Sequence, residues 1–120
     1  MRPNEHDAGY LLDMLHHARG VEEAVRYRKF DEYVGDENLR LVLERRIEII
    51  GEAASRISND FQEAHPDIPW RMIVAQRNVL AHQYGEIDDE ILWQVATVSI
   101  PELISLLEPL TPIPPNDDDG

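Results

Sequence analysis

The sequence contains no cysteine, and Lys29 is its single lysine. The absence of cysteine excludes disulfides and thiolate metal sites, and it fits a reducing cytosol. No stretch approaches the roughly 18 uninterrupted apolar residues of a membrane span, and residues 1–7 lack the apolar core of a signal peptide. We therefore expect a single-domain cytoplasmic protein without a membrane segment.

Basic residues are scarce: 11 Lys and Arg stand against 24 Asp and Glu, a net charge of −13. A field of that sign repels nucleic acid and suits a partner with a basic face. Part of this negative charge lies at the very end of the chain, on Asp117, Asp118 and Asp119. Nearly all of the basic residues are arginine, which binds phosphate better than lysine does. Any RNA site must therefore be a locally positive pocket whose binding is sensitive to salt.

Apolar residues recur at three- and four-residue spacing, which predicts an all-α fold, an antiparallel bundle of four main helices. Asp36 and Asp88 are good N-caps, and Pro69 suits a first helical turn. The four expected helices are Asp7 to about Tyr27, Asp36 to near Ser58, Pro69 to about Leu80 or Ala81, and Asp88 to Leu110.

Proline and glycine mark the expected breaks between and within these helices. Asp31–Gly35 reads as a short turn, Gly85 should end the third helix, and Pro101 should kink or split the fourth. The fourth helix is apolar around about half its circumference, more than one core contact needs. Residues 1–110 are predicted to form the domain, and residues 111–120 an acidic, proline-rich disordered tail.

The segment 77–84 concentrates the chemistry of the chain. It holds Arg77, a bidentate phosphate ligand, His82, which titrates near neutral pH, and Tyr84, which offers a hydroxyl group. On a continuous helix Arg77 and His82 would lie about 140° apart, whereas Asn78 and His82 would share a face. The Arg and His side chains can meet only if the helix unwinds near Ala81 or if a second chain completes the site.

Four segments together carry a resemblance to a known family. They are Ile49–Ala54, His65–Trp70, Arg77–Tyr84, and Ile87–Asp88 with Ile91–Trp93 leading to Leu103. In this order they resemble the HepT-like toxins of the HEPN-domain ribonucleases, whose signature is Arg, four residues, His, one residue, Tyr.

The resemblance implies a HEPN-like homodimer in which two Arg–His motifs meet in a cleft across the interface. It also implies metal-independent endoribonuclease activity without a cofactor. His82 would serve as general base or acid, Arg77 would stabilise charge on the phosphate, and Asn78 would orient His82 or donate to phosphate. The expected products are a 2′,3′-cyclic phosphate and a 5′-hydroxyl.

The same resemblance gives Tyr84 a regulatory role. In HepT-like toxins this tyrosine receives AMP units from a partner antitoxin, an MntA-type minimal nucleotidyltransferase. Phosphates added beside the cleft would occupy the site of the scissile phosphate and repel RNA. The Gly-Ser loop with paired Asp of a nucleotidyltransferase is missing from this sequence, so the modifying enzyme would be a separate chain.

Other residues that could carry chemistry have simpler interpretations. Adjacent histidines on a helix are poor joint metal ligands, an Arg in an apolar stripe needs a partner, and acids at a helix start act as caps. The three arguments apply, in that order, to His16 and His17, to Arg46 with Glu52 as a possible partner, and to Asp88, Asp89 and Glu90. Trp70 and Trp93 are most simply core or interface anchors.

Two alternatives to a toxin with ribonuclease activity stay open. The first is a non-catalytic helical dimer that serves as a binding or regulatory subunit of the nucleotidyltransferase, which the net charge of −13 favours. The second is an unrelated helical adaptor in which the motif is coincidental.

Overall fold

The computed structural model describes residues 2–82 and 88–111, with side chains described up to residue 76 and from residue 88. All regular secondary structure in these residues is helical, which confirms the all-α prediction. The helices are α1 (Glu5–Val25), α2 (Phe30–Val34), α3 (Glu37–Arg56), α4 (Asn59–Ala64), α5 (Trp70–His82), α6 (Asp89–Gln94) and α7 (Ile100–Leu107).

Helix α1 begins two residues before the predicted start and ends two residues before the predicted end. Asn4 caps it, because its Oδ1 accepts from the backbone N–H of Asp7 at 2.7 Å. The helix stops at Val25 because Tyr27 adopts a left-handed conformation with φ of 64°, which a continuing helix cannot accommodate.

Side chains cap the starts of α3 and α4, and the sequence predicts the first of these two caps. Asp36 Oδ1 accepts from the backbone N–H of Leu39 at 3.1 Å and begins α3. Ser58 Oγ accepts from the N–H of Phe61 at 3.2 Å and begins the short α4. Pro69 precedes α5, and its carbonyl accepts from the N–H of Ile73 at 3.1 Å.

The C-terminal helix, as we call residues 89–110, is continuous around Pro101 rather than split. A π-helical turn at Val95–Ser99 joins α6 to α7, and a 3₁₀ turn follows at Glu108–Leu110. A proline inside a helix clashes with the carbonyl four residues back, and a wider turn just before it relieves that clash. The predicted split at Pro101 is therefore wrong, and a local widening stands in its place.

The core lies where α1, α3 and the C-terminal helix meet. Helix α3 also packs along α5, and α1 packs along α7. Fully buried residues include Leu11, Met14, Leu43, Phe61 and Leu107. Ile57 is buried just past the end of α3.

Candidate functional site

Helix α5 carries the Arg–His motif, and its first turn is firmly anchored. Trp70 is buried, and its indole Nε1 donates to the His65 carbonyl at 3.0 Å. Its ring packs edge-on against Phe61 of α4, with centroids 6.4 Å apart. Trp70 is thus a core anchor, as predicted, and it fixes where the motif-bearing helix starts.

The helix continues through His82, so the backbone does not unwind near Ala81. Arg77 and His82 therefore occupy positions about 140° apart around one helix axis, and about 7.5 Å apart along it. Unwinding was one of two ways in which the sequence allowed them to meet, and the backbone contradicts it. The side chains of Arg77, Asn78 and His82, as well as all of Gly85 and Tyr84, lie outside the described residues.

A polar cluster joins α2, α3 and α6 where the chain returns after the motif. The Tyr33 hydroxyl donates to Asp89 Oδ1 at 3.1 Å, and Arg40 Nη1 lies 3.9 Å from Asp89 Oδ2. Burial, followed by the bond to Asp89, raises the pKa of the Tyr33 phenol well above its ordinary value. Asp88 caps α6, accepting from Glu90 and Ile91, so these acids are cap and anchor groups.

Aromatic packing reinforces this anchor. Tyr33 packs against both Phe30 and Trp93, with ring centroids 6.1 Å and 5.3 Å away respectively. The sequence did not predict the contact between Tyr33 and Asp89, because the spacing of residues in α2 does not indicate which helix α2 packs against. Trp93 is a partly buried core residue, consistent with its interpretation as an anchor.

Glu44 is the fourth charged or polar member of this region. Desolvation by burial raises the pKa of its carboxyl group, the nearby Asp89 raises it further, and Arg40 opposes both. Glu44 and Arg40 stand four residues apart on α3, a spacing that places them on one side of the helix.

A groove of about 400 Å³ separates α5 from the C-terminal helix, with α3 at its base. Its lining is mainly apolar, and the exposed Met72 forms part of its α5 wall. The lining residues are Ile47, Ile50, Asp67, Pro69, Met72, Ile73, Gln76, Val95, Ser99, Ile100, Glu102, Leu103 and Leu106.

The outer surface of the C-terminal helix carries two exposed apolar side chains among polar ones. Ile91 and Val98 are 55% and 48% exposed. By length and composition this helix could cross a membrane, a property it shares with many core helices. Of the 18-residue apolar stretch within it, 33% is buried. The wide apolar face predicted from the sequence is present and is buried or partly buried within one chain, and Ile91 and Val98 add exposed apolar surface outside it.

Arg46 finds its partner in a histidine, not in Glu52. Its Nη1 lies 3.0 Å from His17 Nδ1, and its guanidinium sits where a Cβ on Gly20 would approach it to 2.5 Å. Glu52 instead pairs with Arg56 at 3.5 Å. The suggested Arg46–Glu52 pair is wrong, because α1 packs against the side of α3 that carries Arg46.

The His17 contact predicts a pH-dependent loss of stability. Burial, then the neighbouring His16 and Arg46, lower the pKa of His17 below 6.5 in the folded chain. The folded state therefore favours the neutral ring, and its stabilising contribution is full above pH 6.5 and is lost as the pH falls below that. Denaturant unfolding between pH 7.5 and 5.5 should show a falling free energy of unfolding.

A matched pair of variants tests the assignment to His17. His17→Gln keeps a hydrogen-bond acceptor without the titration and should flatten the decline, whereas His6→Gln, at an exposed site, should leave it unchanged. Equal declines in both variants would contradict the role of His17.

Comparison with known proteins places this helical chain in a class of ribonucleases. Residues 14–110 match the sequence model of the family described as "Ribonuclease HepT-like". The chain belongs to the HepT-like ribonuclease family, as its four motif segments predicted.

Curated relatives agree with this membership. A Thermococcus cleftensis protein named "Probable ribonuclease HepT" is 37% identical over 101 residues, which cover 84% of this chain and 92% of that protein. A Methanocaldococcus jannaschii protein named "Putative RNase MJ1380" is 36% identical over 94 residues, which cover 78% of this chain and 86% of its own length. No solved structure matches the chain.

Proposed function

We propose that this chain is a metal-independent endoribonuclease, the toxin of a toxin–antitoxin pair, and that it acts on RNA in the cytoplasm. The observation that carries the proposal is membership of the HepT-like ribonuclease family over residues 14–110. The chain supplies both members of the Arg-x4-His motif, Arg77 and His82, on the last turns of α5.

The proposed chemistry needs only groups that this motif provides. The imidazole of His82 takes the proton from a ribose 2′-hydroxyl, whose oxygen attacks the adjacent phosphorus, and the bond to the 5′-oxygen breaks. A protonated imidazole returns a proton to that leaving oxygen. Arg77 stabilises the charge that builds on the phosphate oxygens, and Asn78 orients His82 or donates to phosphate. The products are a 2′,3′-cyclic phosphate and a 5′-hydroxyl.

We propose that the active form is a homodimer, for a geometric reason. One continuous helix places Arg77 and His82 about 140° apart, so one copy of α5 alone does not put them on one face. A second α5 across a two-fold axis can complete each site. The exposed Met72, Ile91 and Val98, together with the groove beside α5, supply apolar surface for the partner copy to bury.

The proposed regulation is chemical modification of the toxin. A separate MntA-type nucleotidyltransferase antitoxin transfers AMP from ATP to the Tyr84 hydroxyl, with release of pyrophosphate. The added phosphate brings negative charge beside Arg77 and His82 and competes with RNA for them. A chain with a net charge of −13 has little further attraction for RNA to offset that competition.

The second candidate function is a non-catalytic helical dimer that binds and regulates the nucleotidyltransferase. The same net charge of −13 favours it, because the overall field opposes RNA binding. The two candidates share the partner and the modification, and they differ only in RNA cleavage.

The deciding experiment pairs intact mass with cleavage. Protein purified alone should cut RNA in EDTA and leave cyclic phosphate ends, more weakly as salt rises. Co-expression with the nucleotidyltransferase should add whole AMP units and abolish cleavage, and Tyr84→Phe should prevent both changes. A chain that acquires AMP but never cleaves RNA at any salt concentration would favour the second candidate.

A further inference from the structure

The loop that joins α1 to α2 presents an aromatic ring to solvent. Tyr27 is 95% exposed and has a φ of 64°, a left-handed conformation that is unfavourable for a residue with a Cβ atom. Glycine ordinarily takes this place after a helix, so the end of α1 does not by itself require a tyrosine. Because the ring is almost fully exposed, packing does not explain why a strained tyrosine stands here.

Basic residues flank this ring on both sides. Arg26, Arg28 and Lys29 are exposed, so residues 26–29, which we call the basic loop, hold three of the 11 basic residues of the chain. Arg28 pairs with Asp36 at 3.4 Å. Arg26 and Lys29 form no ion pair with any residue that the structure describes. Two cations are therefore available on either side of the exposed ring.

Acidic side chains near the basic loop limit how much charge alone can contribute. Asp36 caps α3, and Glu32 Oε1 accepts from a backbone N–H of the loop at 3.3 Å. Glu22, Glu23 and Asp31 lie on the two flanking helices. A polyanion would therefore bind here only weakly through charge, and a contact to the uncharged face of the ring would have to supply much of the affinity.

The basic loop lies at the end of the bundle where the described part of α5 finishes. Helices α1 and α3 pack along each other and are joined through α2, so the end of α1 lies beside the start of α3, as the contact from Arg28 to Asp36 requires. Helix α5 also packs along α3 and follows the short α4 that comes after the end of α3. Its last turns therefore run back toward the start of α3.

The returning chain limits the distance between these two elements. Asp89 contacts Tyr33 of α2 at 3.1 Å and Arg40 of α3 at 3.9 Å. His82, on the last described turn of α5, precedes Asp89 by seven residues, which span at most about 25 Å. The backbone that carries the Arg-x4-His motif and the basic loop thus share one end of the molecule.

We propose that the basic loop is an accessory RNA-binding site, at which Tyr27 stacks on an unpaired base while Arg26 and Lys29 contact neighbouring phosphates. The inference rests on the proposed ribonuclease function and specifies single-stranded RNA as the substrate class. Every base has a face that can stack on an aromatic ring, so this contact needs no particular base. Bases in a duplex are already stacked on one another, so duplex RNA cannot use the ring.

The test measures binding of a fluorescent single-stranded oligoribonucleotide by anisotropy, in a His82→Ala background chosen to keep the RNA intact. Adding Tyr27→Gly should weaken binding about tenfold, as expected for the loss of one stacked base, whereas Tyr27→Phe should bind like the background protein. Glycine relieves the left-handed strain, so Tyr27→Gly should unfold at an equal or higher temperature. A duplex of the same sequence should bind equally with and without the Tyr27 ring.

The salt dependence of the same binding tests the two cations. Arg26→Ala and Lys29→Ala should each reduce the slope of log affinity against log salt by about 0.7, the value for one phosphate contact of a single strand. Arg56→Ala is the matched control, because its side chain is 58% exposed, carries the same charge and lies at the opposite end of α3. It should leave the slope unchanged.

The outcomes separate this site from the proposed enzyme. Equal affinity for the single strand with and without the Tyr27 ring would overturn the proposal, even where the unmodified chain cleaves RNA. An equal loss for single strand and duplex would overturn the stacking contact. Binding that depends on Tyr27 in a chain that cleaves no RNA would contradict the ribonuclease function and support the basic loop as an RNA-binding site.

Discussion

Replacing His82 by alanine is expected to lower the rate of RNA cleavage by about 10²- to 10⁴-fold, the usual contribution of a general acid or base. Arg77→Ala is expected to lower it by about 10²- to 10³-fold, because it removes the cation that stabilises the charge developing on the phosphate. Both variants should also lose growth inhibition. Cleavage would be followed on a defined RNA at saturating and limiting substrate concentrations.

Arg71 provides the matched control for these variants. It stands on the same helix six residues before Arg77, is exposed and carries the same charge. Arg71→Ala should therefore change the salt dependence slightly and leave kcat near the parent value. Circular dichroism and sedimentation should report the same helix content and mass for all three variants. Cleavage that survives both Arg77→Ala and His82→Ala would rule out the assigned roles.

Asp7→Ala is expected to reduce the free energy of unfolding by about 3 kcal/mol, within the range for breaking hydrogen bonds to a buried charge. Asp7 is 2% exposed, and its two carboxylate oxygens accept from the backbone N–H and Oγ of Ser58 at 2.8 and 2.6 Å. Alanine leaves both donors of Ser58 without this acceptor. Urea unfolding at constant pH would measure the change.

Glu5→Ala is the control, because it removes the same charge from the first turn of the same helix at an exposed position. It should cost only a few tenths of a kcal/mol through the helix dipole. A loss below about 1 kcal/mol for Asp7→Ala would show that the Ser58 contacts are replaced by water at little cost.

Local sequence signals predicted the fold where a nearby residue determines the outcome. Asp36 and Asp88 cap their helices as expected, since a cap needs only the next three residues. The sequence indicated Asp7 only as the start of the first helix, because its partner Ser58 is 51 residues away in sequence. Arg46 was recognised as needing a partner, but the choice of His17 over Glu52 depends on the crossing of α1 over α3.

The candidate site was also predictable from the sequence only in part. The motif and its helix follow from the sequence, and the resemblance found from Ile49 to Leu103 agrees with the family match. The described part of α5 reaches His82, past the predicted end at Leu80 or Ala81, and this bears directly on how Arg77 and His82 can meet. The return of the chain at Asp89, where Tyr33 and Arg40 bind it, is a long-range contact with no periodic signal in the sequence.

Helix α5 has α3 as its principal neighbour, while the groove lies along its other flank. A segment held along one side loses fewer contacts when it detaches than a segment enclosed by two neighbours. Amide hydrogens of α5 should therefore exchange through local opening, ahead of those in α1 and α3. Covering the groove with a second subunit would slow that exchange, so assembly would also rigidify the helix that carries the proposed chemistry.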